Sequence, residues 1–389
     1  MKEPKLRFKG FEGEWEETTF GNRLLSIQTG TNLLGSMDNK GIPLLKMGNI
    51  QRGYFSFDKL ERLDESVTPA VNCIAKYGDF YYNTRNTLEL VGKGATWMQK
   101  KGIFAFNSNI ARCSLDGVNT IFFNYLYNTR NVIKQVQARA KGTTSVAAVY
   151  QRDLDSIEFS LPSVDEQKAL GSFFQHLDSL IQSTTKKIES LKQVKAASLL
   201  SMFPQEGETT PRVRFKGFEG EWEKVKLGDV LTYEQPSKYL VTNTEYEKSG
   251  IPVLTAGKTF VLGYTSDTFG LYTDLPVIIF DDFTTESKFV DFLFKVKSSA
   301  MKMLNTIHDM DVDIKFVYEA MKNIQYRVEN HQRHWLAVFS KITIKIPSIA
   351  EQRAIASYFT NLDHQINLQT QRLEKLKQIK AACLDKMFV

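Results

Sequence analysis

The decapeptide RFKGFEGEWE occurs twice in this 389-residue chain, at residues 7–16 and 214–223. A longer repetition lies downstream. Residues 161–203 (LPSVDEQKALGSFFQHLDSLIQSTTKKIESLKQVKAASLLSMF) and 346–388 (IPSIAEQRAIASYFTNLDHQINLQTQRLEKLKQIKAACLDKMF) agree at 21 of 43 positions. The offset is 207 for the first pair of segments and 185 for the second, so the stretch between them is 22 residues shorter in the second copy. Repetition of this kind means that one structural unit is built twice. A weaker echo, GIPLLKMGNI from Gly41 and GIPVLTAGKT from Gly250, predicts that the divergent middles share a fold as well. The expected organisation is a variable domain over 1–160, a helix over 161–203, a second variable domain over 204–345 and a second helix over 346–389. Two copies in one chain would generate pseudo-twofold symmetry, as two subunits of a homodimer do. Unequal middles would let the two copies recognise different things.

The shared downstream segment carries a helix start. Pro162 and Pro347 close extended runs, because the residue before a proline is pushed out of the helical region. Ser163 with Glu166, and Ser348 with Glu351, have the spacing of a capping box: the serine oxygen accepts the N3 amide and the glutamate reaches back to the cap amide, worth about 1 kcal/mol. Behind the caps, apolar residues fall at spacings of three and four: Leu170, Phe174, Leu177, Ile181, Ile188, Leu191 and Val194, then Ile355, Phe359, Leu362, Ile366, Leu373, Leu376 and Ile379. This spacing predicts a coiled-coil seam. Thr184 and Gln369 stand where the seam expects apolar residues, either as a polar pair that fixes register or as a wet break. No proline interrupts residues 165–200, which as a helix would span roughly 54 Å. Antiparallel pairing of two such helices would hold the variable domains apart and act as a ruler. The repeated head, with Phe8, Phe11 and Trp15, reads as an apolar clasp for its own domain; a docking surface for a partner is the alternative.

Short aromatic and β-branched runs broken by glycine and asparagine predict a mixed α/β globule with exposed loops in each middle. The first middle offers Asn83, Thr84, Arg85 and Asn86, then Lys93, and further on Arg139, Lys141, Thr143 and Thr144. The second offers Lys258, then Thr284, Thr285 and Lys288, and then His331, Gln332, Arg333 and His334. Arg, Asn, Gln and Lys read base edges, while Thr, Ser and Lys hold phosphates. For any one cluster a solvated surface loop is the plain alternative. Such clusters on two separated domains suit a divided DNA site with half-sites in phase with a helical repeat of about 34–36 Å.

Signals for catalysis are sparse. The chain has no GxGxxG after a strand, no phosphate-binding loop and no HExxH. Asp282, Glu286 and Lys288 resemble a compressed nuclease cluster, and His331 with His334 lacks the further ligands a metal site needs. No catalytic and no metal-ligating residue is therefore expected. A net charge of +6, from 50 basic and 44 acidic residues, permits a nucleic-acid partner without requiring one. Cys73, Cys113 and Cys383 are read as buried, reduced thiols. With no run of 18 apolar residues, a cytoplasmic protein without membrane contact is expected.

The doubled FKGFEGEWE, the doubled LPSxxEQ and IPSxxEQ helix starts, NTRNTLELVGKG and VIIFDDFTTESKFVDF together resemble the specificity subunits of type I restriction-modification enzymes, over essentially the whole chain. The resemblance implies an α+β architecture: two globular α/β target recognition domains separated by an antiparallel coiled coil of two long helices, related by a pseudo-twofold internal repeat. It implies that each domain reads one half of a bipartite, asymmetric site in double-stranded DNA. It further implies two methyltransferase subunits, which use S-adenosylmethionine to modify adenine N6, and two restriction–translocase subunits, which use ATP and magnesium. The chain itself would bind no cofactor. Residues 83–86 and 89–93, and residues 280–288, match the family's recurrent recognition-domain motifs, and Lys186, Lys187 and Arg372 would face the methyltransferases. A two-module scaffold without nucleic acid, and a nuclease resting on Asp282, Glu286 and Lys288, are the competing readings.

Overall fold

The computed structural model describes residues 3–143, 145–243, 245–256, 259–308, 310–326 and 334–389. Two helices dominate it, Val164–Met202 with 39 residues and Ile349–Lys386 with 38. Contacts group the chain into two units, Met1–Thr185 with Arg372–Val389, and Lys186–Gln371. Both long helices therefore belong to both units. Each gives its first part to the unit built from its own repeat and its last part to the other.

In unit 1 the strands are β1 (Glu16–Thr19), β2 (Leu24–Thr29), β3 (Pro43–Leu45), β4 (Glu61–Arg62), β5 (Phe80–Asn83), β6 (Arg85–Asn86), β7 (Gly94–Thr96), β8 (Ala105–Phe106), β9 (Ile110–Leu115), β10 (Lys141–Gly142), β11 (Ala147–Ala148) and β12 (Glu158–Leu161). The main sheet is antiparallel in the order β2-β9-β5-β7, with a smaller sheet β4-β3-β8 and a ribbon β10-β11-β6. β1 pairs with β12 and ties the start of the domain to the strand that leads into the first long helix.

Unit 2 repeats this plan with β13 (Glu223–Lys226), β14 (Leu231–Glu234), β15 (Ile251–Leu254), β16 (Val261–Thr265), β17 (Val277–Asp281), β18 (Ser287–Val290), β19 (Lys295–Val296), β20 (Met301–Thr306) and β21 (Thr343–Ile346). Its main sheet runs β14-β20-β17-β18, its small sheet β16-β15-β19, and β13 pairs with β21. The echo between Gly41 and Gly250 falls on β3 and β15. Each of these has a parallel partner, β8 or β19, and an antiparallel one, β4 or β16. The divergent middles thus share a fold.

Packing inside each unit accounts for the repeated aromatic residues. In unit 1 Trp15, Phe122 and Phe174 lie 6.3, 5.5 and 5.6 Å from the Phe388 ring. In unit 2 Trp222, Phe316 and Phe359 lie 6.1, 5.3 and 6.0 Å from Phe203. Three rings come from one repeat and the fourth from the end of the other repeat's long helix. Ring pairs at such distances add about 0.5–1.5 kcal/mol to the burial of their area. The same exchange recurs in polar contacts. Lys380 binds Asp178, which also accepts from the Tyr125 hydroxyl at 2.8 Å. In the matching place of unit 2, Lys195 and Lys315 bind Asp363 at 2.5 and 2.8 Å. In both units, then, the beginning of one long helix runs antiparallel to the end of the other.

The seam and the thiols depart from expectation in part. Val194 and Ile379 are 44% and 39% exposed, so they are not in the seam. Leu170, Phe174, Leu177, Ile188, Ile355, Phe359 and Leu362 are buried, and Ile181, Leu191, Ile366, Leu373 and Leu376 are partly buried. From Leu191 and Leu376 the inward stripe steps by four to Lys195 and Lys380, because an α-helix of 3.6 residues per turn drifts against a repeat of three and four. Thr184, only 5% exposed, does not lie at a wet break. Cys73 and Cys113 are buried, whereas Cys383 is partly exposed.

The capping box is half formed. Ser163 Oγ accepts the Glu166 amide at 3.3 Å, but the Glu166 carboxylate turns to Arg7, which donates from Nε at 2.8 Å and Nη2 at 2.7 Å. Glu351 meets Arg214 in the same way, at 2.7 Å through both nitrogens. A guanidinium fork offers this buried carboxylate two charge-assisted bonds, which a backbone amide cannot match. Arg7 and Arg214 also hold the carbonyls of Glu12 and Gly13, and of Glu219 and Gly220. The repeated head is therefore wrapped around its arginine and clamped to the start of its own helix. Its far side docks on the other repeat, where Leu6 N donates to the Lys386 carbonyl and Val213 N to that of Ser201, both at 2.9 Å. The clasp reading of the head accounts for these contacts.

Candidate nucleic-acid interface

The connection from β5 to β7 is built around Asn83. This residue is fully buried, so it does not touch bases. Its Nδ2 donates to the Leu90 carbonyl at 3.3 Å, its Oδ1 accepts the Lys93 amide at 3.0 Å, and its own amide reaches the Lys93 carbonyl at 2.9 Å. At a strand end a short amide side chain can take the place of missing backbone partners, which is why it closes the loop. The glycines beside Lys93 serve the same end. Gly92 has φ +70°, and a Cβ there would come within 2.3 Å of the Val136 side chain; one at Gly94 would press on Phe80 at 2.4 Å.

What the loop presents is different. Arg85 is exposed on β6 and makes no ion pair among the described residues, while Asn86 and Thr84 are half-buried. Thr84 donates to the Asn109 carbonyl at 3.1 Å, and Asn86 accepts the Thr87 amide at 2.9 Å. β6 joins β11 and β10, so Arg85, Ala148 and Lys141 stand in one row on one face of the ribbon. Two clusters far apart in sequence are thereby brought together. Lys141 is exposed and pairs with the buried Asp153 at 2.7 Å; Thr143 is exposed at the ribbon tip. Arg139 instead bonds Ser156 Oγ at 2.7 Å, the Ser156 carbonyl at 2.8 Å and the Gln135 carbonyl at 3.0 Å. It is withdrawn from the candidate surface because its donors serve the end of a helix.

In unit 2 the loop in the same topological place joins β17 to β18. Asp281 takes the role of Asn83: its carboxylate accepts the amides of Phe283 and Thr284 at 2.9 and 3.3 Å and the Thr284 hydroxyl at 2.7 Å. Thr285 is forced to φ +62°, a left-handed conformation in which side chains are strained. Phe283, Thr284 and Lys288 are exposed around it. The two loops share no sequence, yet each leaves the third strand of the same sheet and is held by one buried Asx side chain.

A family sequence model described as the type I restriction modification DNA specificity domain matches twice, over residues 32–193 and 219–378. The chain belongs to that specificity family. Over 136 residues it is 48% identical to the specificity subunit of the EcoR124I/EcoR124II type I restriction enzyme of Escherichia coli, a match covering 34% of this chain and 33% of that protein. The putative MjaX specificity subunit of Methanocaldococcus jannaschii is 23% identical over 403 residues, with 94% of this chain and 91% of that one aligned. In fold the chain matches the S subunit of a type I restriction-modification system from M. genitalium, with a TM-score of 0.71 at 16% identity, covering 100% and 99% of the two chains. Like the other specificity subunits, it recognises DNA sequence and leaves catalysis to partner subunits.

Within this specificity subunit the remaining candidates divide clearly. Asp282 is 2% exposed, accepts the Trp335 amide at 2.9 Å and lies 3.5 Å from Lys302. A carboxylate so engaged cannot serve a nuclease. His334 is fully buried, with Nδ1 3.1 Å from the Tyr326 hydroxyl, so it is part of the core rather than a DNA contact. Thr144, Lys258, His331, Gln332 and Arg333 lie outside the described residues. Among the described residues no three His, Cys, Asp or Glu side chains gather as a metal site, and no helix is long and apolar enough to cross a membrane.

Sequence reasoning missed several residues that position the loops. Gln167 donates to the Pro162 carbonyl and accepts the amide of Asn119, whose side chain caps helix Thr120–Tyr127; Gln352 does the same between Pro347 and Asp313, cap of helix Ile314–Met321. The doubled Glu-Gln pair was the available signal. Gln51 and Arg52, beside Lys93, had no repeat to mark them.

Proposed function

We propose that unit 1 reads one half of a bipartite, asymmetric duplex site through the β5–β7 loop and the β10-β11-β6 ribbon, and that unit 2 reads the other half through the β17–β18 turn. The single observation that carries this is the placement of two unrelated loops at one topological position of a duplicated sheet. Exposed loop side chains on a rigid scaffold are free to vary without cost to the core. The two continuous helices set the number of base pairs between the half-sites. Two methyltransferase subunits, holding S-adenosylmethionine, flip and methylate an adenine in each half-site. Two restriction–translocase subunits supply ATP- and magnesium-dependent cleavage, and the assembly works in the cytoplasm. The half-buried Asp178–Lys380 and Asp363–Lys195 pairs support the reading, since they lock each unit to both helices.

Exchange of residues 17–160 for the corresponding region of another specificity subunit tests it. Mapping of methylated adenines in cells should show one half of the recognised sequence replaced and the other retained. Replacement of both halves, or of neither, would refute the assignment of one domain to one half-site.

A further inference from the structure

We infer that Gln51, Arg52 and Lys93 form a binding site for one backbone phosphate of the duplex, at the root of the β5–β7 loop. The inference rests on the reading of unit 1 as a DNA-recognition unit and adds two residues to it.

Most of the sheltered cations among the described residues are paired, whereas Arg139 and Lys345 give their donors to hydroxyl and carbonyl oxygens. Lys195, Lys295, Lys302 and Lys315 each lie within 4 Å of a carboxylate, as do Arg7 and Arg214. Removing a cation from water without a counter-ion is costly, and pairing is the usual remedy. Arg52 and Lys93 differ from both groups, because each is within electrostatic range of another unpaired cation. Both are half-buried, and among the described residues neither makes an ion pair. Lys93 Nζ donates to the neutral Gln51 Oε1 at 2.7 Å, and Arg52 Nη2 donates to the Glu89 carbonyl at 3.2 Å. Burial lowers the pKa of both groups, and the charge of Arg52 lowers that of Lys93 further, against a smaller opposing influence from Glu89.

The geometry is fixed in advance. Gln51 is oriented by its Nε2 bond to the Gly48 carbonyl at 2.8 Å. Lys93 is tied to Asn83 through both its amide and its carbonyl and is confined by Gly92 and Gly94. The segment after Arg52 is stitched to the core by the Gly53 amide on the Gly94 carbonyl at 2.9 Å and by Asn124 on the Gly53 carbonyl at 3.0 Å. Two cations within electrostatic range of each other, neither in an ion pair among the described residues and each keeping free donors, present what a phosphate dianion or diester needs: charge and several N–H groups. Because the site lies at the root of the loop that carries Arg85, a phosphate held there would place the ribbon against the bases. Phosphate contacts set register in this way without reading sequence.

The test uses the full chain assembled with its methyltransferase subunits, a duplex bearing the site found by methylation mapping, and a mixed-sequence duplex, over a series of salt concentrations. Arg52→Gln with Lys93→Gln should weaken binding of both duplexes by a similar factor, roughly tenfold, and reduce the salt slope by about 1. Arg52→Lys with Lys93→Arg, which keeps both charges, should restore most of the binding. Should the double glutamine variant melt early, Lys93→Gln alone carries the same expectation. Wild-type binding with a steep slope that the variant leaves unchanged would overturn the phosphate site while leaving the DNA reading intact; failure of the wild type to bind either duplex would overturn both. Loss confined to the cognate duplex would make the pair base readers and refute the proposal. So would a thermal shift with inorganic phosphate that the variant abolishes while its DNA binding stays whole, since the anion taken would then be a free one.

Discussion

Arg7 shows how much one side chain of the repeated head decides. Its guanidinium holds Glu166, 2% exposed, and two carbonyls of its own loop, so it joins the head to the helix start. Replacement by methionine leaves a buried carboxylate without its partner, a change of about 3 kcal/mol. Thermal melting of Arg7→Met should show that loss, whereas Lys9→Met, at an exposed position, should stay near the wild type. Asp363 makes a pH prediction. Burial would raise its pKa, but hydrogen bonds and charge from Lys195 and Lys315 outweigh burial and leave it below the usual carboxylate value. A depressed folded pKa stabilises above the unfolded value of about 3.9 and is lost as pH falls through the folded one. Between pH 5 and pH 3, chosen to bracket that value of about 3.9, the melting temperature of the wild type should fall more steeply than that of Asp363→Asn. Asn83 marks where residue-level reading failed. A polar side chain at a strand end is the same in sequence whether it faces a ligand or closes a loop, and only burial tells the two apart.

For the long helices, period and starting points were legible, and their caps and inner registers were legible in part. The stripe Leu170, Phe174, Leu177 is local and follows from helical spacing, but the place where the stripe steps by four depends on what packs against it. The consequence can be measured. Val194→Lys and Ile379→Lys should change stability by no more than about 0.5 kcal/mol, as surface substitutions do. Phe174→Ala, which removes a ring buried among Tyr125 and Phe388, should cost about 3–5 kcal/mol. Denaturant melts of the three variants would check both sides of this comparison. Strand pairing within the variable middles was only coarsely legible. The ribbon of β10, β11 and β6 unites residues 85–86 with 141–148, and no periodicity connects segments so far apart.

The whole molecule is organised by exchange between repeats. Each aromatic core borrows a phenylalanine, and each Asp–Lys pair borrows a lysine, from the other copy's helix. Neither recognition unit is therefore complete within a single repeat. On the proposed function, the two long helices are also the elements that space the half-sites. Insertion of four residues between Thr184 and Lys187, about one turn, should lengthen the spacer found by methylation mapping or abolish modification. Modification of the original sequence with its spacer unchanged would refute that role.

The sequence by itself determined the duplication, the helix starts and the shared fold of the middles, because repeats, caps and periodicity are properties of neighbouring residues. Tertiary structure alone decided which partner each of these residues meets. Glu166 turned from its own cap to Arg7, His334 went into the core, Asn83 became a fastening, and Arg52 came within electrostatic range of Lys93. Such choices depend on burial and on competition between partners distant in the chain, where the stronger bond or the drier site wins, and no local pattern records the outcome.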